Sequence, residues 1–298
     1  MRTAVLTGPV TAWRNKVSAP VVFVPTMGAL HEGHVSLIRQ ARRLADRKGM
    51  KGRVVVSIFV NPKQFGINED LSKYPRPFAE DLALCKREGV DLLFHPTPGE
   101  MYSEGNSVVV TEGSLSSGLC GASRPGHFDG VCTVVAMLFN IVEPAVAVFG
   151  EKDWQQLAVI RRMVRDLKIP VKIVGHSTVR EEDGLALSSR NRLLSPEARL
   201  VAPRIYQALL SSAMETEAGE TSVTRLLRRL KRDLAAIPGA MIDYAEIVDE
   251  VTLAPLKKLS PQVRARALVA VRLGSIGKAT LGSAPVRLID NLSLSLPS

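Results

Sequence analysis

Strand-like and helix-like segments alternate from Val21 to Gly175, and this alternation constrains the fold more than any other feature of the chain. β-Branched, apolar runs recur at VVFVP (21–25), RVVVSIFV (53–60), VDLLFH (90–95), AVAVF (145–149) and VKIVG (171–175). The first reads as a buried strand and the others as strands. Between them lie helical patterns. One runs from about Gly33 to Lys48, with Val35, Leu37, Ile38, Ala41 and Leu44 on one side and Gly49 as its stop. PFAEDLALCKREG (77–89) has proline at its start and glycine at its end, and DGVCTVVAMLFNIV (129–142) and DWQQLAVIRRMVRDL (153–167) complete the set. SVVVTE (107–112) predicts a short extra strand. Together they predict an α/β fold, a parallel sheet with helices on both faces.

Near residue 190 the chain changes character. SPEARLVAPRIYQALLSS (195–212) and SVTRLLRRLKRDLAAIPG (222–239) read as helices, and MIDYAEIVD (241–249), ARALVAVRLG (265–274) and PVRLIDNL (285–292) as strands. The expected organisation is therefore a domain over 1–189 and a smaller α+β domain over 190–298.

Composition bounds the function classes. The 298 residues are 46% hydrophobic and 23% charged, an ordinary globular balance. The three cysteines, Cys85, Cys120 and Cys132, form no CxxC pair, which argues against a disulfide framework or structural zinc and for a reducing compartment. The longest apolar stretch, Val131 to Val142, contains Asn140 and is too short to span a bilayer. The first residues lack an apolar signal core, so a cytoplasmic protein is expected. The net charge of +10 divides into +4 up to Ser189 and +6 from Arg190 onward. The densest basic run, RLLRRLKRD (225–233), alternates with leucines at helical spacing and reads as a solvated helix face. It has no interleaved aromatics to stack bases, so no nucleic-acid partner is expected. The alternative, a basic nucleic-acid-binding protein, would show tight, salt-dependent association. A general positive field attracts small anionic substrates.

Four polar, glycine-containing segments follow the strands: PTMGALHEGH, NPKQFG, GEKDWQQ and VREEDGLALSSRN. Strands of a parallel sheet end on one side, and such sheets bind ligands beyond their carboxyl ends. Three readings fit His31 and His34: a helix-capping pair, a zinc site, or phosphate contacts. HExxH is absent and no third ligand stands at an obvious spacing, which weighs against zinc. The phosphate reading has a mechanism, because a helix starting near Gly33 aims free N–H groups at an anion, and Gly28 and Gly33 permit close approach. Lys152 and Asp153 open the helix after FGE. Asp153 suits a helix start, whereas Lys152 opposes the dipole unless an anion is bound. Ser188 to Asn191 is either an interdomain turn or a triphosphate clasp with Arg190 as its fork. Asn61 and Gln64 are either turn residues or readers of a small polar substrate. Arg124 and His127, in CGASRPGHFDG, are candidates for a site or a structural role.

PTMGALHEGH, NPKQFG, CGASRPGHFDGV, FGEKDWQQ and VREEDGLALSSRN, in this order, resemble the pantoate–β-alanine ligase family, from about Val21 to Leu194 and more weakly beyond. The resemblance implies a Rossmann-like, nucleotidylyltransferase-type sheet with a small C-terminal lid domain. It implies a homodimer that uses ATP with Mg²⁺ to condense (R)-pantoate with β-alanine, giving pantothenate, AMP and pyrophosphate through a pantoyl adenylate. Carried over by position, Met27, Gly28, His31, His34, Gly150, Glu151, Lys152, Asp153, Val179, Leu187, Ser188, Ser189 and Arg190 would bind ATP. His34 would be the family's proton donor, with His31 and Lys152 beside it in catalysis. Gln64, Gln156 and Asn61 would hold pantoate, and Gln64 would also touch β-alanine. No residue is expected to ligate a metal on its own account. A nucleotidylyltransferase that stops at adenylyl transfer is the alternative enzyme. FGINEDLSKYPRP (65–77) is expected to act as a mobile wall over the substrate.

Overall fold

The computed structural model describes residues 1–66, 71–274 and 285–297. By internal packing the chain forms two compact units: Met1–Glu151 with Gln156–Ser177, and Lys152–Gln155 with Thr178–Ser298. The segment 178–189, grouped with the first domain on sequence pattern, packs in the second unit, where Leu185 belongs to the core of its helices and strands.

The first unit is built on a fully parallel sheet, six-stranded among the described residues. Its strands are β1 (Arg2–Ala4), β2 (Val21–Thr26), β3 (Arg53–Ile58), β4 (Leu92–Phe94), β5 (Val146–Gly150) and β6 (Lys172–His176). They lie in the order β1-β4-β3-β2-β5-β6. Succession runs outward from β2 to β3 and β4 on one side and to β5 and β6 on the other. The order therefore reverses between β2 and β5, the point where such sheets open a crevice for ligands. Val21 to Val24 and Val54 to Ser57 are buried, as central strands covered on both faces require.

The helices are α1 (Thr7–Arg14), α2 (Glu32–Ala45), α3 (Phe78–Arg87), the single turns α4 (Pro98–Met101) and α5 (Cys120–Ser123), α6 (His127–Val142) and α7 (Trp154–Asp166). α2 buries Val35, Ile38, Ala41 and Ala45 against the sheet. α6 is apolar nearly all round and buried along most of its length. The three cysteines are buried, and burial pushes the Cys85 and Cys132 thiols up to about 12.

The expected strand over 107–112 does not form: this stretch has no regular structure. Val108 and Val109 are 71% and 52% exposed, and the Val110 N–H is taken by Thr133 Oγ1 at 2.9 Å. β-Branched residues make a strand only where a neighbouring strand accepts the ladder. β1 and α1 were not foreseen. Of the expected wall over 65–77, residues 67–70 lie outside the described residues, and Leu71–Lys73 form a 3₁₀ turn.

The second unit packs α8 (Pro196–Val201), α9 (Arg204–Glu217) and α10 (Val223–Ala235) on an antiparallel sheet of β7 (Ala240–Asp249), β8 (Ala265–Leu273) and β9 (Val286–Leu294). The single helix expected over 195–212 is two helices. They are split at Ala202–Pro203, because proline carries no N–H to continue the ladder. α10 buries Leu226, Leu230 and Leu234 and holds its arginines on the outer face. There Arg225 pairs with Glu220 at 3.0 Å, Arg229 with Glu215, and Arg232 with Asp233. This is the solvated face expected of the basic run. No described helix is long and apolar enough to cross a membrane.

Candidate active site

The loop from β2 to α2 is held by a buried carboxylate. The backbone turns through Gly28 (φ +82°) and Ala29 (φ +50°), both left-handed. A Cβ on Gly28 would stand 2.9 Å from the Ile58 methyl and 3.0 Å from Asp81 Oδ2, so this position admits only glycine. Asp81, in the first turn of α3, accepts from the N–H groups of Ala29 at 2.9 Å and Leu30 at 2.7 Å. Sequence reasoning missed Asp81. A carboxylate in a first turn reads as dipole compensation, and only its burial marks it as a loop anchor.

The two histidines cap α2 reciprocally. His31 is the N-cap, and its Nδ1 accepts from the Gly33 N–H at 3.2 Å. The His31 N–H donates to Nδ1 of His34 at 3.3 Å, and the ring centroids are 4.2 Å apart. Burial, then the charge of His31, pushes the His34 imidazole down to about 3. At neutral pH the His34 ring is therefore uncharged. With Nδ1 occupied as an acceptor, its proton sits on Nε2. Capping and anion binding are compatible at His34, since capping uses its Nδ1 and its Nε2–H is a donor at the positive end of a helix.

Met27, Asn61 and Gln64 come together. Gln64 Nε2 donates to the Met27 sulfur at 3.0 Å, and Asn61 Nδ2 donates to Gln64 Oε1 at 3.2 Å and to the Gly130 carbonyl at 3.0 Å. Asn61 Oδ1 accepts from the Tyr102 hydroxyl at 2.7 Å and from the Lys63 N–H at 3.3 Å. Asn61 thus spends its amide inside the protein, on Gln64 and its surroundings. Arg124 and His127 serve the same turn. Arg124 Nη1 donates to His127 Nε2 at 2.9 Å, which leaves Nδ1–H to donate to the Gln64 carbonyl at 2.8 Å. Gly130 lets α6 approach, since a Cβ there would meet the Lys63 carbonyl oxygen at 2.4 Å.

Gly150 ends β5, and Glu151–Asp153 form a 3₁₀ turn into α7, on which Gln156 is the third residue. Lys152 and Asp153 belong to the second unit, as do Val179 and Leu187 to Arg190. Within that unit the Leu187 N–H donates to the Val179 carbonyl at 3.0 Å across a turn at Gly184. Ser188 caps the 3₁₀ helix Ser189–Leu193 by accepting from the Arg190 N–H at 3.2 Å. Arg180 forks onto Asp290 at 2.6 and 2.9 Å and lies 3.7 Å over the Tyr206 ring, an anchor that sequence reasoning did not find. Lys152, Ala186, Asn191 and Asp290 line one small cavity, which brings Lys152 to Asn191, whereas Ser188, Ser189 and Arg190 do not line it.

A parallel sheet with its order reversed beside a histidine-capped helix start defines an α/β enzyme of the nucleotidylyltransferase fold type. The chain belongs to the pantoate–beta-alanine ligase family, whose model matches residues 2–293. The pantothenate synthetase of Akkermansia muciniphila is 50% identical over 274 residues, covering 92% of each chain. That of Thermotoga petrophila is 50% identical over 272 residues, covering 91% of each. The crystal structure of pantothenate synthetase from Thermus thermophilus superposes with a TM-score of 0.87 at 49% identity, over 98% of this chain and 99% of that one. The pantoate–beta-alanine ligase of Francisella tularensis, complexed with beta-gamma ATP and beta-alanine, superposes at 0.74 with 33% identity, over 98% and 97%. The protein is thus a ligase of this family.

Proposed function

We propose that the protein condenses (R)-pantoate with β-alanine at the expense of ATP, through a pantoyl adenylate, as a homodimer in the cytoplasm. The observation that carries the chemistry is the His31–His34 pair at the start of α2, with Nδ1 of each ring engaged in capping. The Francisella tularensis relative, complexed with an ATP species and β-alanine, supports the substrate assignment.

A carboxylate is a poor acyl donor because its leaving group would be an oxide. In the first step a pantoate carboxylate oxygen attacks the α-phosphorus of ATP. The new O–P bond forms as the bond to the β-phosphate oxygen breaks, and pyrophosphate departs with its electron pair. Negative charge grows on the α-phosphate oxygens and on the leaving group. The Nε2–H of His34 and of His31, the Lys152 ammonium and the Arg190 guanidinium supply matching donors and charge. Met27, Gly28, Gly150, Glu151, Asp153, Val179, Leu187, Ser188 and Ser189 complete the proposed nucleotide contacts. Gln64 and Gln156 hold pantoate, with Asn61 acting on Gln64. In the second step the free amine of β-alanine, also touched by Gln64, attacks the acyl carbon. The C–N bond forms, the C–O bond to AMP breaks, and the amine gives up a proton.

Among the described residues, no three His, Cys, Asp or Glu side chains gather as a metal cage. Mg²⁺ would arrive on the triphosphate, held by phosphate oxygens and water. When bound, it would neutralise phosphate charge. The reading of the first unit as the pantoate-binding domain, and of the second as a lid that also contributes nucleotide contacts, is part of the same proposal.

Labelled pyrophosphate should exchange into ATP when pantoate and Mg²⁺ are present and β-alanine is absent, and adding β-alanine should yield pantothenate and AMP. Exchange that requires β-alanine would replace the two-step reading with a concerted transfer. Pyrophosphate release without AMP in the complete mixture would identify an adenylyl transferase instead.

A further inference from the structure

We propose that Asn291 is a positioning residue for the reaction, acting through Lys152. This rests on the catalytic reading of Lys152 given above. Asn291 lies buried on β9. Its Nδ2 donates to the backbone carbonyl of Lys152 at 2.9 Å, and its Oδ1 accepts from Arg266 Nη1 at 2.6 Å. Both ends of the amide are thereby committed, and its N–H to Asp290 Oδ1 at 2.8 Å fixes the backbone beneath it. Arg266, on β8, places Nε and Nη2 on Glu250 Oε1 at 3.0 and 2.9 Å. Its guanidinium lies 3.5 Å over the Trp154 ring, and the Trp154 indole N–H donates to the Glu250 carbonyl at 3.0 Å.

The turn that carries Lys152 is therefore gripped at two points two residues apart. Asn291 holds the Lys152 carbonyl, and Arg266 with Glu250 holds the Trp154 ring. The buried charge of Arg266 is matched by Glu250 and by the aromatic face, so every member of this chain is partnered. The antiparallel pairing of β8 with β9 is complete through backbone bonds and needs no side-chain reach to Lys152. What that reach accomplishes is to fix the lysine's backbone. A point charge stabilises a transition state only if it is in place beforehand, and a displacement on the order of 1 Å costs about a hundredfold.

Asn291→Asp separates the two bonds. An aspartate keeps the size and the acceptor for Arg266, and sets an oxygen against the Lys152 carbonyl where a donor stood. Pantoate-dependent ATP–pyrophosphate exchange is measured for the unaltered protein, Asn291→Asp, Lys152→Ala and the double variant, with thermal unfolding to show that each is folded. We expect Asn291→Asp to lower kcat about tenfold or more with the pantoate KM changed less than about twofold. We expect the double variant to be no slower than Lys152→Ala alone. Wild-type kcat in Asn291→Asp, or its full loss repeated in the Lys152→Ala background, would overturn the proposal. Should Asn291→Asp fail to fold, Asn291→Ala enters the same cycle under the same criteria. If the unaltered protein shows no exchange, the functional reading falls and this inference with it. Exchange in the unaltered protein without coupling to Lys152 overturns this inference alone.

Discussion

Asp81 Oδ1 accepts the backbone N–H of Leu30 at 2.7 Å, so a helix on one side of the sheet holds the loop that leads to the histidines. The second oxygen takes the Ala29 N–H, and that residue's left-handed backbone depends on such support. Asp81→Asn leaves one oxygen for two donors and turns an NH₂ toward a backbone N–H. Hydrogen bonds to charged groups contribute about 1.5–3 kcal/mol each. The variant should lose stability of about that size in urea unfolding, and its KM for ATP should rise. An unchanged midpoint would show that the carboxylate is not the anchor.

The pH dependence of stability follows from His34. Its folded value, about 3, lies below the ordinary value of 6.5 for an imidazole. Between those values the unfolded chain binds the proton and the folded one does not. Stability should therefore fall as pH is lowered from 6.5 toward 3. Denaturant unfolding at pH 7.5 and pH 5 measures this loss, and His34→Gln should shrink it. The His34 ring resonances should not titrate between pH 5 and 8 in the free protein. A midpoint inside that range would refute the assignment.

Lys152→Ala should lose roughly 3 kcal/mol of transition-state stabilisation, about a hundredfold in rate, as expected for a preorganised charge donor. Circular dichroism should remain that of the parent. Near-parental kcat would remove Lys152 from the chemistry.

Gly130→Ala tests the seat of Gln64. The new methyl would press on the Lys63 carbonyl and the Gln64 N–H, so 62–64 must shift or α6 must retreat. Overpacking of this kind typically costs about 1–3 kcal/mol. The expected result is a lower melting temperature together with a raised KM for pantoate. A variant that matches the parent in both would show that the turn gives way freely.

Much of this architecture was legible because its signals are local. β2, β3 and β5 are short apolar β-branched runs, and α6 is an apolar helix between Gly126 and Glu143, so pattern alone places them. The glycine and histidine spacing marked the loop after β2. What escaped was set by partners distant in sequence. β1 has three residues and exists by pairing with β4. SVVVTE has strand composition, yet among the described residues it pairs with no strand. Pro203 was present in the sequence, yet the strong apolar spacing over 195–212 concealed the break it causes. Asp81, Arg180 and Asn291 look like ordinary polar residues until folding brings them to an acceptor or donor 51, 110 and 139 positions away.

The burial of all three cysteines has a practical consequence. Alkylating reagents act on exposed thiolate, and Cys85 and Cys132 offer neither exposure nor a thiolate at neutral pH. A single cysteine introduced on the surface, for example Val108→Cys, becomes the preferred attachment point for a spin label or fluorophore. Distances from the attached probe to a second label can then be measured without first stripping the native sulfur from the core.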